Sequence, residues 1–351
     1  MRKPRFIKPG DTIGLVAPSF GAGMEPYITR LAAAIRAFEA RGYHVRTAPS
    51  CYKSDGLGIS TNPQDAAADV MEFYLDDRID ALIAVGGGEL MNETISCMDF
   101  DLLSRAEPKW YLGYSDNTNM IFPMATVCGV PGIYGPCAGG FGKPWEATEK
   151  DTFALLEGTS LTVKGYDLFE RPDCYEGAED VDPLAPYLLT EPKVLKSFLP
   201  EDGKLCVDTE NTQITLEGTL LGGCLDVLEN LSGTRFDGVK NFTEKGEGII
   251  WVIEACDLLP MSIRRTMWHL KQQGWFDTAK GFLIGRPLAS FGQEMMGVDA
   301  YNAVTDVLSP LGVPVIMDAD IGHVSPMIPL IIGSHAKVTA KGNDLTVEMH
   351  I

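Results

Sequence analysis

The chain has 351 residues, 45% of them hydrophobic, and a formal net charge of −19. That much apolar material can fill a large core, and the length predicts about two domains. The acidic balance, with no offsetting cluster of Lys and Arg, argues against a nucleic-acid partner, and no run of about 18 uninterrupted apolar residues offers a membrane span.

The opening "MRKPRFIKPGDTIGLVAPSF" begins basic, but its apolar run is short and leads into a strand pattern. It is expected to be the first strand and not a signal peptide. "EPYITRLAAAIRAFEARGY" predicts a helix with Ile28, Leu31, Ile35 and Phe38 on one face, stopped at Gly42. "HVRTAPS" reads as a second strand, and "TNPQDAAADVMEFYLDD" as a helix with Pro63 in its first turn. "IDALIAVGGG" is a third, fully apolar strand; the short helix "ELMNETISCM" and the strand "KWYLGY" follow. Apolar strands alternating with helices predict an α/β domain whose parallel sheet is covered on both faces. Ligands of such sheets gather at the carboxyl ends of the strands. Gly86 to Gly88 and Ser115 to Asn117 fall at such ends.

From about residue 160 to 210 the chain is rich in Pro and Asp and lacks clear periodicity. The second half resumes with "TQITLEGTLLGG", the helix "CLDVLENLSG" and the strand "EGIIWVIEA". The helix "SIRRTMWHLKQQG" has Ser262 as candidate N-cap and Gly274 as stop. "GFLIGRP" and "VPVIMDA" are further strands, and the tail forms a hairpin turning at Lys341 to Asp344. The predicted division is a nucleophile-bearing domain over 1–165, a linker or excursion over 166–210, and a second domain over 211–351.

The eight cysteines (51, 97, 128, 137, 174, 206, 224 and 256) include no C-x-x-C pair. They read as buried free thiols of a reducing cytoplasm. No closely spaced Cys or His suggests zinc.

Ser115 sits at a strand-to-helix corner in "LGYSDNTNM". A serine there has its hydroxyl clear of the sheet, and the next amide, at Asp116, can face a developing oxyanion. The same serine can equally be a helix N-cap. A nucleophilic serine needs a base. Of the five histidines (44, 269, 323, 335 and 350), His323 stands on a loop just past a strand, the best place to reach a site, although a structural role fits it as well. The base needs an acid partner. Glu254 ends the apolar strand "GIIWVIE", a costly place for an unpartnered carboxylate. It is preferred to Glu217, which alternation can leave on a solvent face.

Taken together, these segments resemble the LD-carboxypeptidase serine peptidases, among them the murein tetrapeptide carboxypeptidases and the microcin C immunity peptidases. The matching pieces are "KPGDTIGLVAPS", "VGGG", "KWYLGYSDNT", "EGTLLGGCLDVLENLSGT", "IIWVIEACDLLPMSIRRTMWHLKQQG" and "DADIGHVSPMIPLIIGSHA". Their order over more than half of the chain carries the resemblance. It implies Ser115 as nucleophile, Glu254 as orienting acid and His323 as base. It implies an oxyanion hole from the amides of Gly87 and Asp116, with Gly88 the alternative to Gly87. The implied fold is a flavodoxin-like domain, similar to class I glutamine amidotransferases, followed by a smaller β-rich swivelling domain. Cytoplasmic homodimers without metal or cofactor are the implied form.

Where the murein enzymes carry Arg-Gly-Gly-Tyr-Gly, this chain has Val85 for the arginine and Gly88 for the tyrosine. Cys224 stands where the family often has asparagine, and Ser262 and Arg264 replace a usual arginine and aspartate. The stretch "GGGELMNE" and the length are nearer the microcin-immunity branch. The expected activity is amide hydrolysis at the C-terminal end of a small peptide. One alternative is cleavage of peptidyl or acyl aminoacyl-nucleotides; another is a non-catalytic protein binding a small anion at Gly86 to Gly88 and the Asp116 helix start. Arg265 is the candidate cation for a substrate carboxylate, and Trp145 a candidate surface for a nucleobase.

Overall fold

The computed structural model of the protein describes residues 1–172, 182–243, 246 and 248–351, which leaves Cys174 outside the description. Two compact units emerge. The first holds Met1–Ser160, the described part of 173–187, and Pro329–Ile331. The second holds Leu161–Pro172, Leu188–Ile328 and Ile332–Ile351.

In the first unit, β1 (Thr12–Val16), β2 (His44–Thr47), β3 (Ala81–Ala84), β4 (Trp110–Gly113) and β5 (Gly132–Tyr134) form a parallel sheet. The order across it is 2-1-3-4-5, the flavodoxin-like order. A sixth strand, Leu330–Ile332, arrives from far along the chain and lies beside β5. Every residue of β3 and β4 is buried, as expected of strands covered on both faces. The surrounding helices are α1 (Tyr27–Glu39), α2 (Pro63–Leu75), α3 (Met91–Ser96), α4 (Phe100–Arg105), α5 (Thr118–Thr126) and α6 (Ala147–Glu157). Helix α2 starts as predicted: Pro63 follows the cap Asn62, whose side chain accepts the Asp65 N–H. The face of α1 differs from expectation. Leu31, Ala33, Ala34 and Phe38 are buried, whereas Ile28 is exposed. Small alanines allow close packing, so the buried stripe need not pass through the bulkiest side chains.

The second unit is built on one nine-stranded sheet. Stretch 166–210, read above as a linker or excursion, carries strands. After β6 (Thr162–Lys164), β7 (Leu168–Phe169) pairs with β8 (Glu191–Pro192), and β9 (Lys196–Glu201) with β10 (Lys204–Val207) extends the large sheet. Next come β11 (Ile214–Cys224), helices α7 (Leu225–Leu231) and α8 (Val239–Thr243), β12 (Ile249–Glu254) and helix α9 (Pro260–Gln272). Strand β13 (Ala279–Gly285), the short β14 (Glu294–Met295) and β15 (Val298–Asp299), α10 (Asn302–Leu308) and β16 (Val315–Ala319) follow. With Leu330–Ile332 as β17, the chain ends in β18 (His335–Lys341) and β19 (Asp344–His350), the predicted hairpin. The sheet order is 10-9-16-13-12-11-18-19-6. Its centre, β16-β13-β12-β11, is parallel, and its flanks are antiparallel.

Strand β11 spans both regimes. Its first half pairs antiparallel with β18 and alternates buried with exposed, placing Glu217 on the open face opposite Lys337. Its second half pairs parallel with β12 and is buried throughout. Helix α9 is capped at Leu259 with Pro260 at its first position, so Ser262 lies inside the helix and is not its cap. Gly274, at φ 79°, follows the end as predicted. Among the described residues no helix is long and apolar enough to cross a membrane.

Candidate active site

The first unit brings Ser115, Asp116 and Gly87 together where β3 and β4 end. Tyr114 is still extended, but Ser115 turns into the left-handed region at φ 61°. For a serine this costs on the order of 1–3 kcal/mol, and it aims the hydroxyl away from the sheet. The N-cap alternative does not hold: the caps of the following turn and helix are Tyr114 and Asn117, neither with a side-chain capping bond. The Ser115 N–H donates to the Tyr134 hydroxyl at 3.1 Å. The Asp116 carboxylate is buried and accepts from Ser19 Oγ at 2.5 Å, the Met91 N–H at 2.9 Å and Asn119 Nδ2 at 2.8 Å. Burial pushes its pKa up; these hydrogen bonds pull it partway back. Its side chain thus clamps the corner, leaving the backbone N–H as its chemical offering.

The glycine loop is held against this corner by Asn117. Its Nδ2 donates to Gly86 O at 2.9 Å and Tyr114 O at 3.0 Å, and its Oδ1 accepts from the Tyr111 hydroxyl at 2.6 Å. A Cβ at Gly87 would lie 3.1 Å from Ser115 Cβ and 3.3 Å from its Oγ, so glycine permits the approach. Neither the Gly87 nor the Asp116 N–H donates to another group among the described residues.

The second unit brings Glu254 and His323 together. Glu254, 1% exposed, closes β12 beside Cys224, its cross-strand partner at the end of β11. Its Oε2 lies 2.8 Å from His323 Nδ1, the partner that a buried carboxylate requires. Burial by itself lowers the imidazole pKa, but the Glu254 charge and the Cys256 thiol, which hydrogen-bonds the ring, hold it well above the usual 6.5. The loop carrying His323 is braced from below. Arg286 donates to Asp318 O at 2.5 Å and pairs with the buried Asp320, whose Oδ2 accepts the Tyr166 N–H at 2.8 Å; Lys193 Nζ stands 3.7 Å away.

The remaining candidates lie elsewhere. His44 is exposed, His269 sits in α9, and His335 faces His350 across the terminal hairpin. Arg265 is an exposed residue of α9, hydrogen-bonded to Ser262 Oγ at 3.2 Å. Trp145 is not a free platform: the Arg41 guanidinium covers it at 3.2 Å, its ring packs on Phe141 and Phe153, and its N–H donates to Phe141 O. Cys97 and Cys206 are exposed, which corrects the expectation that all thiols are buried; no disulfide forms among the described residues. Sequence reasoning missed Ser19, Asn117, Tyr134 and the Arg286–Asp320 pair. Only Asn117, inside "SDN", offered a signal.

A carboxylate-anchored imidazole is the form of a general base, and a strained serine at a strand-to-helix corner is the form of a nucleophile. The chain matches the LD-carboxypeptidase N-terminal domain over residues 13–135 and the LD-carboxypeptidase C-terminal domain over 217–338. It is 24% identical to a probable murein peptide carboxypeptidase of Bacillus subtilis, covering 99% of this chain and 94% of that one. It is 22% identical to the microcin C7 self-immunity protein MccF of Escherichia coli, over 96% and 93%. Among solved structures it is similar to an MccF-like protein of Bacillus anthracis, with TM-score 0.80, 21% identity and all of both chains covered. It is likewise similar to MccF in complex with glutamyl sulfamoyl guanosine, with TM-score 0.79, 19% identity and 100% and 99% covered. These likenesses support the two-domain α/β fold, and the two domain matches, spanning more than half of the chain, show that the protein belongs to the LD-carboxypeptidase family of peptidases.

Proposed function

We propose that the protein is a serine carboxypeptidase with Ser115 as nucleophile, His323 as general base and Glu254 as the acid that orients the imidazole. The observation that carries this reading is the left-handed serine at φ 61° at the end of β4, with Gly87 packed against its side chain. His323 takes the Ser115 proton as the oxygen attacks the carbonyl of the last amide bond of a small peptide. The amides of Gly87 and Asp116 hold the oxyanion, each such donor contributing roughly 3 kcal/mol. The C–N bond breaks, His323 returns the proton to the departing amine, and Ser115 is left acylated. Water, deprotonated by the same imidazole, releases the acid. Glu254 stays ionised and stabilises the imidazolium. Arg265 is the proposed grip on the substrate carboxylate, and the reading includes a cytoplasmic homodimer acting in the turnover of murein peptides.

A second substrate reading has its own support. Val85 and Gly88 depart from the murein enzymes, and MccF is found in complex with glutamyl sulfamoyl guanosine. The same machinery would then cleave a peptidyl or acyl aminoacyl-nucleotide.

A fluorophosphonate probe should label Ser115, and Ser115→Ala should abolish both labelling and turnover while leaving the unfolding midpoint nearly unchanged. Labelling of another residue overturns the assignment. A tetrapeptide ending in D-Ala, assayed beside an aminoacyl-sulfamoyl adenosine, separates the two substrates.

A further inference from the structure

We propose that Cys224, Glu254 and His323 form a binding site for a thiophilic divalent cation of the Zn²⁺ type, and that the bound ion silences the base. One sulfur, one carboxylate oxygen and one ring nitrogen from these residues lie within 4.8 Å of one another. Tetrahedral zinc, with bonds of about 2.0–2.3 Å, wants its ligand atoms roughly 3.3–3.7 Å apart. The required contraction is therefore on the order of 1 Å. The side chains come from three separate elements: the end of β11, the end of β12, and the loop after β16. Two of them are fixed by cross-strand pairing, Cys224 opposite Glu254, and the third by the His323 Nδ1 contact with Glu254 Oε2 at 2.8 Å.

A mixed S, N, O set suits zinc and its neighbours, whereas Mg²⁺ and Ca²⁺ want oxygen only. Occupancy replaces the proton between Nδ1 and Oε2 with the metal and releases the Cys224 thiol proton to solvent. The imidazole, turned into a ligand and uncoupled from its carboxylate, can no longer act as base. Cation binding rests on the geometry of this cluster; its inhibitory consequence rests on the role proposed for His323.

Co²⁺ is the probe, because a cobalt–thiolate bond gives a charge-transfer band in the near ultraviolet. The metal-free full chain should bind one Co²⁺ with that band, Zn²⁺ should displace it, and Mg²⁺ should not. The band should persist in Cys97→Ser/Cys206→Ser and vanish in Cys224→Ser. Should Cys224→Ser fail to fold, His323→Gln, at a less buried position, must weaken Co²⁺ binding at least tenfold. Absence of the band, or its survival in Cys224→Ser, overturns the site. Zn²⁺ should also suppress turnover, with EDTA restoring it. A chain that shows the band and keeps full turnover with Zn²⁺ bound retains the site but loses the inhibition, and with it the role of His323.

Discussion

A Cβ built on Gly322 would lie 2.3 Å from Glu254 Oε2. Gly322 also holds φ at 92°, where L side chains are strained. Both facts serve one purpose: the chain must cross directly over the carboxylate so that the next residue, His323, can bond it. Gly322→Ala is therefore expected to move the loop and break the 2.8 Å contact. A displacement of about 1 Å at a catalytic group can cost roughly 100-fold in rate. The strain should cost about 1–3 kcal/mol of stability. Steady-state kinetics and urea unfolding check both, and a variant with wild-type kcat/KM would refute the positioning argument.

Asn117 performs the matching task in the first unit. Its side chain bridges the carbonyls of Gly86 and Tyr114 and accepts from the buried Tyr111 hydroxyl. Asn117→Asp keeps the shape but turns two donors toward carbonyls into acceptors. The expected loss is about 1–3 kcal/mol of stability, because buried polar groups are left unpaired. A fall in kcat larger than the rise in KM should accompany it, since the glycine loop proposed to supply an oxyanion donor is no longer tied down. An unchanged kcat would separate Asn117 from the oxyanion loop.

What could be read from sequence follows from what is local. The strands β1, β3, β4, β12 and β13 were legible because continuous apolar runs leave few alternatives to burial on both faces. Ser115 and Glu254 were legible as polar residues at the ends of such runs. The strand Leu330–Ile332 was not placed, because nothing in its sequence says that it joins the sheet of the first unit. The strands of 166–210 are two to six residues long and rich in prolines, too short for a period to show. That Cys224 joins Glu254 and His323 was invisible, because the three are tens of residues apart and meet only through strand pairing and one glycine.

His323 makes the pH dependence predictable. Its pKa is raised because the Glu254 carboxylate and Cys256 outweigh the effect of burial. A base must be neutral, so kcat/KM of the EDTA-treated enzyme should rise with pH through a midpoint above 6.5, the ordinary value. The linked stability runs the other way. The pair stabilises the fold fully below the unfolded pKa, and that contribution is lost as pH rises through the folded one. Glu254→Gln removes the charge and leaves the burial, so the midpoint should fall. A wild-type midpoint at or below 6.5 would contradict the assignment.

Arg286 and Asp320, 2% and 0% exposed, face each other beneath the His323 loop. A pair so deeply buried gives little net stability compared with apolar neighbours of the same size, but losing one partner strands the other's charge, at roughly 3–5 kcal/mol. Among the described residues, Arg286→Met leaves Asp320 with only Lys193 Nζ, at 3.7 Å, as a cation within ion-pair distance, and it also removes the donor to Asp318 O. Asp320→Asn leaves Arg286 charged and weakens the anchor that receives the Tyr166 N–H. Each single variant should unfold at clearly lower urea concentration. The double variant should be less destabilised than the sum of the two, with a coupling of at least about 1 kcal/mol, because neither member of the Arg286–Asp320 pair is left stranded, although Lys193 still loses its carboxylate. Activity should not recover in parallel: the loop's backbone would still lack the Arg286 bond to the Asp318 carbonyl, so kcat should stay low where stability returns. Additive losses in stability would mean that the two residues act separately, and full recovery of kcat in the double variant would mean that the network stabilises the unit without positioning His323.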